Sequence, residues 1–199
     1  DNVEDRRGGA GNKMVIGGIG SLILAAAVYF FTGDAGTALN VAMNRVGQPS
    51  SDVSVEAGPN RIDDEGERYV NHVLAYTEDI WASEFQKIGK VYEVPKLVLF
   101  KNQTVSDCGG AHSATGPFYC PADRKVYLDL VFFDEMRSRF GVEGGFAPAY
   151  VIAHEVGHHI QNLLGIAGQV NQMQQHVGKS EANRLSVMLE LQADFLAGY

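Results

Sequence analysis

The sequence is poor in basic residues and in cysteine, and each shortage excludes a class of protein. Its 199 residues contain 16 Lys and Arg against 24 Asp and Glu, so the formal net charge is −8. No basic stripe is present, and we therefore predict no nucleic-acid partner. The 2 cysteines exclude both a disulfide-rich scaffold and a zinc site made of four thiolates. With 45% hydrophobic and 20% charged residues, the chain is predicted to fold rather than to remain disordered.

A long apolar run without charge, residues 14–31, is predicted to span a membrane. This run of 18 residues (MVIGGIGSLILAAAVYFF) would form about 27 Å of helix, which is close to the hydrocarbon thickness of a bilayer. A core helix would show a polar face, and a cleaved signal peptide would have a shorter apolar part. Arg6, Arg7 and Lys13 precede the run, and Arg45 is the only basic residue in the 20 that follow. The positive-inside rule therefore predicts a cytoplasmic N-terminus and an extracytoplasmic remainder.

The rest of the sequence is predicted to form a tail, a linker and one folded domain. Residues 1–13 are the tail, residues 32–62 the linker, and residues 63–199 a domain of the α+β class. A helix is predicted to begin near Asp63, because apolar residues recur there at three- and four-residue spacing. Further elements are predicted as strands at 96–101, 118–120 and 125–130, the last two forming a hairpin, and as a short helix at 134–140.

The motif with the clearest chemistry is HEVGH at residues 154–158, inside a helix predicted over 146–164. At 100° per residue, His154 and His158 lie 40° apart and one turn along the helix, so both imidazoles can bind one tetrahedral metal ion. Glu155 lies on the same exposed side, where it can act on a water molecule without being a metal ligand. The alternative is a helix whose histidines are ordinary polar surface residues.

A second amphipathic helix is predicted to carry Glu190 and Asp194, which are also 40° apart. Catalytic zinc has three protein ligands and one open position, and Glu190 can supply the third ligand. Asp194 can accept the free N–H of a zinc-binding histidine and so select its tautomer. The alternative is an acidic, solvent-exposed face. The two acids, however, point away from the apolar stripe of their own helix, as the two histidines do on theirs.

Several separate stretches, in order, resemble the neutral zinc metallopeptidase family of membrane-anchored bacterial proteins. They are residues 2–8 (NVEDRRG), the apolar run, 108–111 (CGGA), 116–121 (GPFYCP), 126–130 (VYLDL), 149–159 (AYVIAHEVGHH) and 189–194 (LELQAD). The resemblance implies a zincin-like domain with a small antiparallel sheet and an active-site helix. It also implies His154, His158 and Glu190 as zinc ligands. Members of this family continue past the position of Tyr199 with a segment that contains another histidine, so we expect the domain to be truncated at its C-terminus.

Cys108 and Cys120 are predicted to form a disulfide that closes a loop of 13 residues, since a bridge is favoured in an extracytoplasmic compartment. The alternative is that the two thiolates bind zinc. This is the weaker hypothesis because two histidines and a glutamate already complete a ligand set. His112 and Tyr119 lie inside the loop, where they can either reach the site or serve as loop residues.

These features predict a single-pass bacterial membrane protein whose extracytoplasmic domain uses Zn2+ to hydrolyse peptide or protein substrates. Glu155 is the predicted general base, which takes a proton from the attacking water and returns it to the leaving amine. The strand at 125–130 is predicted to offer an edge to an extended substrate. The alternative function is a membrane-tethered binding or scaffold protein with a structural zinc, which would have no need of Glu155. A di-iron site is excluded because Ala193 replaces the second histidine that such a site needs.

Overall fold

A computed structural model of the chain describes residues 2–7, 64–140 and 144–199. The predicted membrane span and the whole of the predicted linker lie outside these residues. The described strands are β1 (Val3–Asp5), β2 (Lys96–Phe100), β3 (Gln103–Ser106), β4 (Gly109–His112), β5 (Phe118–Cys120) and β6 (Lys125–Asp129). The described helices are α1 (Glu65–Lys87), α2 (Val131–Phe140), α3 (Phe146–Leu163), α4 (Ile166–Gln174) and α5 (Lys179–Ala197), with a 3-10 turn at Ser113–Thr115.

The main sheet has four strands in the order β1-β2-β6-β5. The predicted hairpin is confirmed, because β5 pairs with β6 in antiparallel register. The sheet as a whole is mixed rather than antiparallel, since β1 and β6 both run parallel to β2. The prediction that residues 125–130 form a sheet edge is wrong, because β6 lies between β2 and β5 and has no free edge. Strands β3 and β4 form a separate antiparallel pair.

The core lies where α1 and α3 pack against one face of the main sheet. Leu97 and Leu99 of β2 join the buried apolar residues of both helices, including Val70, Leu74, Trp81 and Phe85 of α1 and Ile152, Val156 and Ile160 of α3. The intervening residues Val98 and Phe100 face the other side of the sheet and pack with Cys120 and Tyr127. Trp81 is therefore a core residue, and α3 has its apolar side fixed on the sheet.

The predicted boundaries agree with the structure for α3 but not for α2, which begins at Val131 rather than at Asp134. Helix α3 begins at Phe146, as predicted, and a left-handed Gly165, with φ 77°, follows its last turn. Helix α1 begins at Glu65, close to the predicted start near Asp63, and its N-cap is Asp64, whose carboxylate accepts a hydrogen bond from the backbone N–H of Glu67.

The predicted single-pass membrane architecture and location are wrong. Among residues 2–7, 64–140 and 144–199, no helix is both long and apolar enough to span a membrane. The physical reason lies in β1, which pairs with residues Leu97–Leu99 of β2. A single crossing between residues 7 and 64 would place β1 and β2 on opposite sides of a bilayer, where they could not share a sheet.

Candidate metal centre

Helices α3 and α5 pack against each other and bring three potential metal ligands together. The helices are antiparallel, because Asp194 meets His154 whereas the earlier Leu189 meets the later Gln161. The Nε2 atoms of His154 and His158 lie 3.4 Å and 3.5 Å from Oε2 of Glu190. One ligand atom from each residue lies within 4.8 Å of the other two. The three side chains predicted as ligands therefore converge at one point.

The three donor atoms suit zinc in both chemistry and spacing. Two imidazole nitrogens and one carboxylate oxygen are typical ligands of catalytic zinc. Bonds of about 2.0–2.1 Å in a tetrahedron separate neighbouring ligand atoms by roughly 3.3–3.5 Å. The distances from Glu190 to the two histidines match that separation. The site therefore fits a zinc ion with one coordination position left for water or substrate.

The imidazole of His154 is held by a carboxylate that is itself held by a phenol. Nδ1–H of His154 donates to Oδ1 of Asp194 over 2.9 Å, and the Tyr150 hydroxyl donates to the same oxygen over 2.7 Å. The hydrogen bond from Tyr150, together with that from His154, holds the pKa of Asp194 below its ordinary value. Asp194 is thus an acceptor, and Nε2 of His154 keeps its lone pair for a metal ion.

The imidazole of His158 is held by a neutral amide. Nδ1 of His158 lies 2.9 Å from Oε1 of Gln161, a side chain that is buried against α5. The metal-facing nitrogen of His158 is therefore also Nε2, as the contact with Glu190 requires. Both histidines thus direct Nε2 towards Glu190, but the Nδ1 atom of His154 contacts a carboxylate and that of His158 contacts a neutral amide.

Glu155 lies beside the two histidines but is buried rather than exposed as the helical wheel predicted. Its exposed fraction is 8%, and the backbone N–H of Tyr119 in β5 donates to its carboxylate. Burial is the main reason that the pKa of Glu155 is raised to about 7; His158 and the Tyr119 N–H lower it, and Glu190 raises it. A carboxylate with a pKa near neutrality is suited to accepting and returning protons.

His159 faces away from the metal site and joins α3 to β5. Its Nε2 lies 2.6 Å from the carbonyl oxygen of Glu93, which can only accept, so Nε2 carries the proton. Nδ1 then accepts from the Tyr119 hydroxyl over 3.0 Å, and Asn162 donates to the same hydroxyl oxygen. This chain of hydrogen bonds holds Tyr119, and with it the N–H that binds Glu155, against α3.

The predicted disulfide is present and lies next to this arrangement. Cys108 and Cys120 are bonded, and Cys120 ends β5 immediately after Tyr119. The two sulfurs are therefore not zinc ligands. Tyr119 reaches the site through its backbone, whereas His112 lies on β4 and is not part of the ligand group found among the described residues.

Two side chains at the site were missed in the sequence, although helical spacing marks both. Tyr150 lies one turn before His154, and Gln161 lies one turn after His158, so all four share one face of α3. The Tyr119 N–H has no such local signal, because β5 meets α3 only in the folded chain.

The fold and the site define a metallopeptidase-like α+β domain, and comparison with known proteins assigns its family. The family described as "Putative neutral zinc metallopeptidase" matches residues 1–199, the whole chain. The chain therefore belongs to this family, as its motifs indicated.

Its relatives include bacterial proteins of similar sequence. The uncharacterized protein YpfJ of Escherichia coli K12 is 46% identical over 205 aligned residues, which cover 100% of this chain and 70% of that protein. An uncharacterized protein of Mycobacterium tuberculosis H37Rv is 47% identical over 108 residues, covering 54% of this chain and 35% of that protein. No solved structure matches the chain. The zincin-like architecture therefore stays a prediction.

Proposed function

We propose that the chain is a zinc-dependent peptidase in which His154, His158 and Glu190 hold the metal ion. The observation that carries the proposal is the convergence of three zinc-type donor atoms beside the buried carboxylate of Glu155. The Nδ1 atom of each histidine is engaged by another side chain, which leaves both Nε2 atoms available. Family membership supports the same metal and the same class of reaction.

The protein's own part in the reaction is to position groups and move a proton. When bound, zinc supplies Lewis acidity, which acidifies a water molecule and polarises a carbonyl oxygen. Glu155 accepts the proton of the attacking water and later donates it to the leaving amine. The hydrogen bond from the Tyr119 N–H favours the ionised form of Glu155, which is the form that accepts the proton. The burial of Glu155 keeps its proton affinity high enough for both steps.

We further propose that a peptide substrate lies extended along the outer edge of β5. This strand is an edge of the main sheet, and β6 occupies its inner side. Tyr119 donates its N–H to Glu155, so the outer edge of β5 faces the general base. An extended peptide that pairs with this edge would bring a scissile carbonyl near Glu155. The substrate edge is thus β5, not the strand predicted from the sequence.

Replacement of Glu155 by glutamine tests the catalytic proposal. Glu155 is not one of the three converging ligands, so Glu155→Gln is expected to bind zinc with the stoichiometry of the unmodified chain. Hydrolysis of casein should fall about 10²–10⁴-fold, because an amide cannot accept the proton. Glu181→Gln, which changes an exposed acid at the start of α5, is the matched control and should retain activity.

The result also separates a catalytic from a structural zinc. A structural site is usually closed by four protein ligands, whereas three converge among the described residues. If Glu155→Gln hydrolysed casein as well as the Glu181→Gln control, the proposed role of Glu155 would be wrong. Loss of zinc in Glu155→Gln would instead show that Glu155 contributes to metal binding.

A further inference from the structure

Gln161 is a buried amide whose three contacts all lead to the metal site or to the helix that carries Glu190. It is 1% exposed. Its Nε2 donates to the backbone carbonyl of Leu189 over 2.7 Å and to Oε1 of Gln192 over 3.1 Å. Its Oε1 faces Nδ1 of His158 at 2.9 Å. A buried amide is costly unless its hydrogen bonds are made, so these contacts hold it in one orientation.

The Leu189 carbonyl decides which way this amide points. A carbonyl oxygen can only accept, so the NH2 group of Gln161 must face Leu189, and its oxygen must face His158. An amide oxygen also only accepts, so Nδ1 of His158 must carry the proton. The other ring nitrogen, Nε2, is then unprotonated and directed towards Glu190.

We propose that Gln161 is a positioning residue. Its contact with α5 fixes the orientation of its amide, and that orientation determines which tautomer His158 adopts. The Leu189 carbonyl orients the amide, the amide selects the Nδ1–H tautomer, and that tautomer alone can offer Nε2 to a metal ion. Leu189 precedes Glu190 in α5. The same stretch of helix therefore supplies the ligand Glu190 and, through Gln161, selects the tautomer of the ligand His158. This inference rests on the proposed metal site but needs no assumption about the substrate.

Three variants separate the acceptor role of Gln161 from its packing. Gln161→Leu keeps the volume but loses all three polar contacts. Gln161→Glu keeps an acceptor for His158 but cannot donate to Leu189. Gln192→Leu removes only the 3.1 Å contact and is the matched control. The tautomer of His158 is read from 15N NMR of the metal-free proteins at pH 8, and the zinc affinity from competition with a chelator.

We expect His158 to be protonated on Nδ1 in the unmodified chain and in Gln192→Leu. In Gln161→Leu this tautomer should lose its dominance, and the dissociation constant for Zn2+ should rise about 10–100-fold. Gln161→Glu should restore the tautomer and most of the zinc affinity. It should remain less resistant to urea than the unmodified chain, because it still lacks the bond to Leu189.

Two results would overturn the proposal. One is a Gln161→Leu protein with unchanged tautomer and zinc affinity. The other is equal loss of zinc affinity in the Leu and Glu variants, which would mean that Gln161 acts only through packing. A chain that binds zinc but hydrolyses no peptide would contradict the proposed function without affecting either readout.

Discussion

At the scale of single residues, the two metal-facing histidines differ in the charge behind them. Nδ1 of His154 donates to Asp194, an ionised carboxylate with a lowered pKa, whereas Nδ1 of His158 donates to the amide oxygen of Gln161. A carboxylate partner makes an imidazole a stronger donor to a metal ion. In this site a negative charge strengthens His154 as a ligand, whereas the partner of His158 is neutral and mainly orients its ring.

Replacement of Asp194 by asparagine should weaken zinc binding more than it weakens folding. We expect the dissociation constant for Zn2+ in Asp194→Asn to rise about 10–100-fold, because the charge behind His154 is lost. Tyr150→Phe keeps that carboxylate and removes only its bond to the phenol, so its effect should be smaller. Chelator competition measures both. Equal zinc affinity in Asp194→Asn and the unmodified chain would contradict this assignment.

Helical periodicity alone predicted which residues of the two site helices share a face. His154, His158, Glu190 and Asp194 converge as their 40° offsets indicated. The burial of Glu155 could not be predicted in this way. It arises because β5, distant in sequence, lies against α3 and donates the Tyr119 N–H. Local patterns define a face of a helix, whereas contacts between distant segments decide what covers it.

At the scale of secondary-structure elements, the close approach of α3 and α5 depends on the glycine within the HEVGH motif. A Cβ atom on Gly157 would lie 2.9 Å from the carbonyl oxygen of Ala193 and 3.1 Å from its Cα. Both neighbours are backbone atoms of a packed helix and cannot rotate away. The absence of a side chain at Gly157 therefore lets α5 bring Glu190 within reach of the histidines.

Replacement of Gly157 by alanine should push the helices apart. We expect a loss of about 1–3 kcal/mol in the free energy of unfolding, as for other overpacked sites, together with weaker zinc binding. Gly168→Ala is the matched control, because Gly168 lies inside α4 with open space where its Cβ would be. That control should be neutral or stabilising by about 0.5–1 kcal/mol. Urea unfolding and zinc titration of both variants decide the matter, and equal behaviour would refute the packing argument.

The disulfide stabilises the strand that borders the site. Cys120 is fully buried at the end of β5, and its partner lies 12 residues earlier. Replacing both cysteines by serine should lower the free energy of unfolding by about 3 kcal/mol, the value typical of a loop of this size. Urea unfolding with and without reductant measures the effect. A double variant as stable as the oxidised chain would show that the bridge contributes nothing.

Elements with a strong local signal were predicted better than their arrangement in the sheet. Helix α3 has clear apolar periodicity, and the β5-β6 hairpin has a short turn between its strands, so both were found. The mixed character of the sheet was not, because β1 and β2 are separated by about ninety residues and parallel pairing leaves no turn signal between them. The prediction that residues 125–130 form the substrate edge was wrong for the same reason, because the parallel pairing of β6 with β2 leaves no turn signal between them.

At the scale of the whole molecule, the first residues of the chain are part of the same folded body as the metal site. Val3 is buried in the main core, and β1 extends the sheet beside β2. Arg7 then contacts Asp64 and the buried Glu67 at the start of α1. The apolar run at 14–31 led to the prediction of a single-pass topology. Hydropathy alone does not show that β1, before this run, pairs with β2, after it.

Replacement of Arg7 by methionine tests whether the N-terminal strand is docked in this way. Arg7 donates to Asp64 over 2.5 Å and to Glu67 over 3.3 Å, and Glu67 is fully buried. Loss of these charge-assisted bonds should lower the free energy of unfolding at pH 7 by about 2–3 kcal/mol. Arg68→Met, at an exposed position on α1, is the matched control and should change stability by less than about 0.5 kcal/mol.

The pH dependence of this difference identifies its origin. The backbone N–H of Glu67, and then Arg7, hold the pKa of Asp64 below its ordinary value of 3.8, despite an opposing effect of burial. A lowered pKa stabilises the fold above that ordinary value, and the contribution is lost as the pH falls through the folded-state pKa. Arg7→Met should therefore differ from the unmodified chain most near neutrality, and the difference should shrink below about pH 4. If Arg7→Met matched Arg68→Met in urea unfolding at pH 7, Arg7 would not anchor the N-terminal strand.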